Sequence, residues 1–379
     1  MKAKKWVLVP VLTVCALFFA GCTTTIGDSG DGFGNSGGAT APITPLSTEI
    51  TSEGTILRGT RLGLKLAWLD RNVESHGIYI LDVSANDNID PYTFQYSGAI
   101  NVTVILRGDG AGRTIRLSKN GTMFTVKSNV TLILDNNITL QGHSQNTSVL
   151  VNVNGGIFIM NAGATITGNA NTASYSAYGG GVYVGDKGIF EMNGGTVSRN
   201  SAGSGSGVYV SSGTTFRMAG GTISDNNGRG ASVNSGTFTM SGGTISGNRA
   251  GGVYVNNGDF TMTSGTISGN NNASHGGGVY LDGYSGTFTM RGGTITGNTA
   301  IEYGGGVYRN SGTFTKTGGT ITGYNSDQTN GNVVKDMVGA IPRRGHAVYV
   351  STNVRKETTA GQEDNLSVNG NTTAGGWDE

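Results

Sequence analysis

The chain has 379 residues but only two cysteines, five prolines and four histidines, and charged residues make up 13% of it. Each scarcity excludes something. Cys15 sits inside an N-terminal apolar run that a signal peptidase would remove, which leaves Cys22 alone and no intrachain disulfide. Stability must then come from packing. With so little proline, the chain is neither collagen-like nor a proline-rich linker. A net charge of +1 gives no electrostatic case for nucleic acid or an anionic surface. The charge fraction is about half the usual share, whereas disordered chains are rich in charge and poor in Val, Ile and aromatic residues.

Glycine is abundant, at 67 residues, roughly twice the average usage. Combined with many Val, Ile and Thr, it predicts ordered β-structure with frequent turns. The first residues are different in kind. Lys2, Lys4 and Lys5 precede an apolar run, Trp6 to Ala20, that is too short to span a bilayer comfortably. A basic start, a short apolar stretch and small residues before a cysteine describe a secretory signal over residues 1–21. Phe19-Ala20-Gly21-Cys22 resembles a bacterial lipobox, in its relaxed spirochaetal form because Phe19 replaces the usual Leu. That resemblance implies a diacylated Cys22 as the mature N-terminus, anchoring the protein to the cell envelope, with the outer membrane favoured. The alternative is an ordinary cleaved signal followed by a chance cysteine. Residues 22–50, rich in Gly, Thr, Ser and Asp, read as a flexible tether.

The body repeats one unit: Gly-Val-Tyr-Val, a short turn, Phe-x-Met, then Gly-Gly-Thr-Ile-Ser-Gly-Asn. Copies begin at Gly181, Gly207, Gly230, Gly252, Gly278 and Gly306, with steps of 26, 23, 22, 26 and 28 residues. Each copy holds three short alternating segments separated by glycine turns. Alternation means strands, and the period suits one turn of a three-sided coil of parallel strands. The expected fold is therefore an all-β right-handed parallel β-helix, since parallel crossovers are right-handed. Residues 51–155 should hold an N-terminal cap and degenerate turns, 156–325 the regular repeats, and 326–379 an irregular segment and closing turn.

Columns follow from the register. Phe158, Phe190, Phe216, Phe238, Phe260, Phe288 and Phe314 should point inward, as should the methionines two residues after them and Val197, Ile223, Ile245, Ile267, Ile295 and Ile321. The valines of the first strand should point in and its tyrosines, Tyr183, Tyr209, Tyr254, Tyr280 and Tyr308, out, with Ser232 breaking the column. Asn200, Asn226, Asn248, Asn270 and Asn298 are expected at tight left-handed corners, their amides stacked. Leu62, Leu66, Leu69 and Val73 share one helical stripe and predict a helix that closes the first turn.

These units resemble right-handed β-helix repeat lipoproteins of spirochaetes over residues 60–350. They are more distantly similar to the chlamydial polymorphic outer-membrane proteins, which implies display and adhesion. This chain lacks the membrane barrel of the chlamydial group.

Three functions compete. The first is a non-enzymatic, membrane-anchored structural or adhesion protein that meets a glycan or protein partner through the outward tyrosines, which otherwise serve as a packing ladder. The second is a polysaccharide lyase or hydrolase. It would need converging carboxylates, yet Asp186, Asp225, Asp259, Asp282 and Glu302 fall at unrelated positions, and His76, His143, His275 and His346 share no register. The richest charged cluster is Asp327, Lys335, Asp336, Arg343, Arg344 and His346, which reads as a solvated loop. The third is ice binding through Thr-x-Thr segments such as Thr294-Ile295-Thr296. Neither zinc spacing nor a dinucleotide fingerprint is present: Gly108-Asp109-Gly110-Ala111-Gly112 precedes no helix and reads as a turn. No cofactor is expected.

Overall fold

The computed structural model describes residues 46–173, 177–271, 273–324, 327–335 and 345–350, and the backbone of 366–368. The signal segment, Cys22 and most of the expected tether lie outside the described residues.

The repeats coil into a right-handed parallel β-helix of about ten turns. One sheet has ten parallel strands, one per turn, running from Tyr92–Phe94 through Val182–Gly185 and Val253–Asn256 to Val348–Val350. The Phe-x-Met and Thr-Ile-Ser segments form two further parallel stacks. These fuse in the last regular turns, where Thr287–Thr296 and Thr313–Ile321 run through the corner as single strands. Equivalent residues pair in register, Phe216 with Phe238 and Ile223 with Ile245 for example, with a shift at the corner between Thr287–Thr296 and Thr313–Ile321.

The core follows the columns. All seven phenylalanines are fully buried, and their rings stack along the axis at centroid separations of 4.5 to 5.2 Å. Methionines fill the next column up to Met290. Lys316 takes the following place and is buried as well. Glycine before the first strand is a steric requirement. A Cβ on Gly278 would lie 2.6 Å from the Gly306 carbonyl and 2.7 Å from Ile295 Cγ2.

The asparagines correct one expectation. They do not occupy the left-handed corners. Those fall one residue earlier, on Arg199, Asp225, Gly247, Gly269 and Gly297, each with φ between 55° and 65°. The corner turns the asparagine inward, where it is fully buried. The amide of each bonds to the next, as expected, and the ladder runs further than the repeat predicted, taking in Asn146, Asn169 and Asn332.

At the N-terminus, β1 (Ser47–Thr51) and β2 (Gly54–Arg58) form an antiparallel hairpin. The residues read as the end of the tether thus belong to a strand. Helix α1 (Leu62–Asn72) buries Leu62, Leu66 and Leu69 in the core, as its stripe predicted. It then leads into β3 (Ile78–Val83), which pairs parallel with β2. The open edge of the first turn is therefore covered by β1 as well as by the helix. The sequence did not show β1, β2 or the short strands Asp87–Ile89, Tyr92–Phe94 and Ile138–Gln141. A charge ladder runs across this end: Arg58 binds Glu49 at 2.7 Å and Asp82 at 2.9 Å, and Arg107 binds Asp82 at 2.6 Å.

Candidate functional site

Alternation puts two columns on the outer surface of the ten-stranded sheet. One is the tyrosine column. The other lies two residues later and holds Lys127, Asn154, Gly185, Ser211, Asn234, Asn256, Asp282 and Asn310, so its polar side chains are interrupted at Gly185. Both run parallel to the coil axis with one residue per turn, so neighbours are about 4.8 Å apart.

The tyrosines are outward but not free. Tyr209 is 3% exposed and Tyr308 6%, while Tyr183, Tyr254 and Tyr280 are half-buried. The rings lie over one another along the column: Tyr183 and Tyr209 are parallel within 4° at 5.6 Å, and Tyr280 sits 5.1 Å from Tyr254 and 5.2 Å from Tyr308. The turns preceding the sheet supply more rings. Tyr178 packs on Tyr209 at 4.6 Å, and His275 and Tyr303 close around Tyr308, whose neighbour along the column is Tyr349 of the last strand. This corrects the simple picture of stacked rings offering open faces. The faces are turned to one another, and a partner meets edges, hydroxyl groups and the neighbouring amides. Burial raises the Tyr209, Tyr254, Tyr280 and Tyr308 phenols above the usual range, so they stay neutral hydrogen-bonding groups.

The amide column fixes the hydroxyls. Asn234 donates to the Tyr209 hydroxyl at 2.8 Å. Tyr254 and Tyr280 both donate to Asp282 Oδ2 at 3.3 Å, and Asn310 Nδ2 and the Gly283 amide donate to its Oδ1. Burial alone would raise the Asp282 carboxyl, but these donors together hold it below the usual range. The alternation could have shown Asn234, Asn256, Asp282 and Asn310 in the sequence, since each follows a first-strand outward position by two. Tyr178 lies before its strand, and His275 and Tyr303 end the short paired strands Ala273–His275 and Thr299–Tyr303, which only the last turns contain, so no periodicity places them.

The column breaks at Ser232, as the sequence indicated, and the structure adds what stands beside the break. Arg229 lies with its Cζ 3.9 Å from the Tyr254 ring centroid and 5.2 Å from that of Tyr280. Its Nη1 and the Ser232 hydroxyl are covered, and neither has a hydrogen-bond partner.

The acidic residues stay apart. Asp186 and Asp225 occupy left-handed corners, Asp259 accepts from Thr287 at 2.6 Å, and Glu302 faces His275 at 3.4 Å. Among the described residues no three His, Cys, Asp or Glu side chains gather to hold a metal ion. Of the charged C-terminal segment, Asp336, Arg343 and Arg344 lie outside the described residues. Asp327 accepts backbone bonds from Thr329 and Asn330, and buried His346 accepts from the Val334 amide through Nδ1.

The coil and its uninterrupted inward columns define a parallel β-helix repeat protein. Residues 155–326 match the family model described as the right handed beta helix region. Proteins carrying that region include polysaccharide-degrading enzymes as well as non-enzymatic proteins. No curated protein and no solved structure matches the chain.

Proposed function

We propose that this is a non-enzymatic, lipid-anchored β-helix protein of the cell envelope that binds a linear glycan along its tyrosine and amide columns. The observation that carries the reading is the straight double column itself. Tyrosine hydroxyls and edges recur along one line at one residue per turn, broken at Ser232, and beside them from residue 234 onward stand Asn234, Asn256, Asp282 and Asn310. Tyr and Asn are the residues that supply rigid contact area and adaptable hydrogen bonds at low entropic cost in binding surfaces. A linear polymer can follow such a line, whereas a globular partner would cross it. Support for the anchor comes from Phe19-Ala20-Gly21-Cys22, and the resemblance to spirochaetal repeat lipoproteins agrees with it.

A glycan array probed with the purified protein and with the double variant Tyr254→Ala, Tyr280→Ala tests this. Binding by the wild type that falls by about 2 kcal/mol or more in the variant supports the reading. Lost stability with unchanged binding would show the column to be a packing ladder. Release of new chain ends from bound polysaccharides would mark a lyase or hydrolase instead.

A further inference from the structure

The turn that breaks the tyrosine column departs from the repeat at two linked positions. Four turns place glycine two residues before the first inward residue of the strand, at Gly180, Gly251, Gly277 and Gly305, and two others place Ser206 and His346 there. This turn has Arg229. It also has Ser232 where the flanking turns have Tyr209 and Tyr254. A phenol ring has been exchanged for a guanidinium against the same aromatic surface.

Filling space does not explain the exchange. An arginine remains charged under all ordinary conditions, and a covered cation without a counter-charge is costly. Among the described residues no carboxylate forms an ion pair with Arg229, and Nη1 has no acceptor. Asp282, the nearby acid, is committed to Tyr254, Tyr280, Asn310, Ser311 and the Gly283 amide. The Ser232 hydroxyl is likewise covered and unpaired. An apolar side chain would pack against Tyr254 without these penalties. Arg229 as a residue keeps some accessible surface, although its Nη1 is covered. A guanidinium held over an aromatic ring keeps its edge for a planar acceptor, and a carboxylate is the group that edge fits.

We propose that Arg229 and Ser232 form an anion subsite in the tyrosine column that receives the carboxylate of an acidic sugar unit. This rests on the reading that the column binds a glycan, and it adds which glycans. The part of the guanidinium left accessible takes the carboxylate, the small Ser232 stands where the flanking turns carry a ring, and the polar side chains two residues along the strands meet the hydroxyls of neighbouring units.

The test compares affinity for alginate, polygalacturonate and hyaluronan oligosaccharides with affinity for the same oligosaccharides after carboxyl reduction. We expect the wild type to prefer at least one acidic form by about tenfold or more, with the preference weakening as salt rises. The variant Arg229→Gln should lose the preference while keeping the affinity for the reduced form. The double variant Arg229→Gly, Ser232→Tyr gives this turn the same pair as Gly251 and Tyr254 in the next one, so it should fold at least as stably and also lose the preference. Equal affinity for acidic and reduced forms, or a preference that survives in both variants, overturns the subsite and leaves glycan binding standing. Binding of neither form removes the glycan reading and the subsite together. Arg229-dependent binding of poly-glutamate without any oligosaccharide binding would identify an acidic protein partner and overturn the assignment to a sugar.

Discussion

Asn248 donates through Nδ2 to Oδ1 of Asn270 at 2.9 Å, and the backbone amide of Asn248 donates to that same oxygen at 3.1 Å. Asn200, Asn226, Asn248, Asn270 and Asn298 each tie two turns together twice in this way, and the Nδ2 of each also reaches a carbonyl of the turn before, Ile223 in the case of Asn248. The side chain bridges three consecutive turns at a corner where the strand ladders stop. In a solenoid, where each turn touches only its neighbours, such bridges couple one unit to the next.

Replacing Asn248 with alanine should therefore cost more than a surface substitution. The Asn226 backbone amide and Nδ2 lose their acceptor, and Ile223 O loses a donor. At about 1–3 kcal/mol for each buried group left unpaired, a total loss of roughly 3 kcal/mol is expected in urea unfolding. Asn248→Asp keeps an acceptor but sets a buried carboxylate against the Ile223, Ser246 and Asn270 oxygens, so at neutral pH it should cost at least as much as alanine. Equal midpoints for all three proteins would show that the ladder does not couple the turns.

Phe238 stacks between Phe216 at 4.5 Å and Phe260 at 4.8 Å, fully buried. Phe238→Ala removes a ring from the middle of the ladder, where rigid turns above and below limit collapse, and should cost about 3–5 kcal/mol. Phe238→Leu should cost less. Hydrogen exchange should show the loss concentrated in the turns flanking residue 238, because a solenoid opens locally.

Lys65 gives the N-terminal end a pH dependence. It is 1% exposed, its ammonium donates to the Asp82 carbonyl, and burial lowers its pKa from 10.5 to about 8. The unfolded chain then holds the proton over a range where the folded one has released it. Stability should rise with pH from about 8 and level off above 10.5, by up to about 3 kcal/mol. Buried tyrosines with raised pKa oppose this above about pH 10. The informative quantity is therefore the difference between wild type and Lys65→Met. Urea midpoints between pH 7.5 and 10 should converge as pH rises, and a constant difference would contradict this account.

Cys22→Ser tests the anchor. Wild-type protein produced in a bacterial host that acylates lipoproteins should incorporate labelled palmitate and sediment with membranes. The variant should do neither. Membrane association that survives the substitution would show that another feature holds the protein there.

The fold could be read from the repeat because each column holds one residue type in the same pleat position, and a strand's two-residue period leaves few alternatives. Phe, Met and Ile columns and the α1 stripe all lie where the sequence put them. The amide bonds of the asparagines were also legible. Their place at the corner was not, since the sequence does not say which of two adjacent residues takes the positive φ. The β1–β2 hairpin escaped because it repeats nothing: its partner strand is Ile78–Val83, twenty residues further on, and only pairing makes it part of the coil.

By itself, then, the sequence determined the coil, the direction in which each repeated side chain points and the break at Ser232, because all three depend on local periodicity. Tertiary structure alone decided how exposed the outward tyrosines are. Exposure depends on Tyr178, His275 and Tyr303, which lie outside the sheet and pack against the column. It also decided that Arg229 lies against Tyr254, a contact between neighbouring turns whose geometry the glycine turn sets and no spacing predicts.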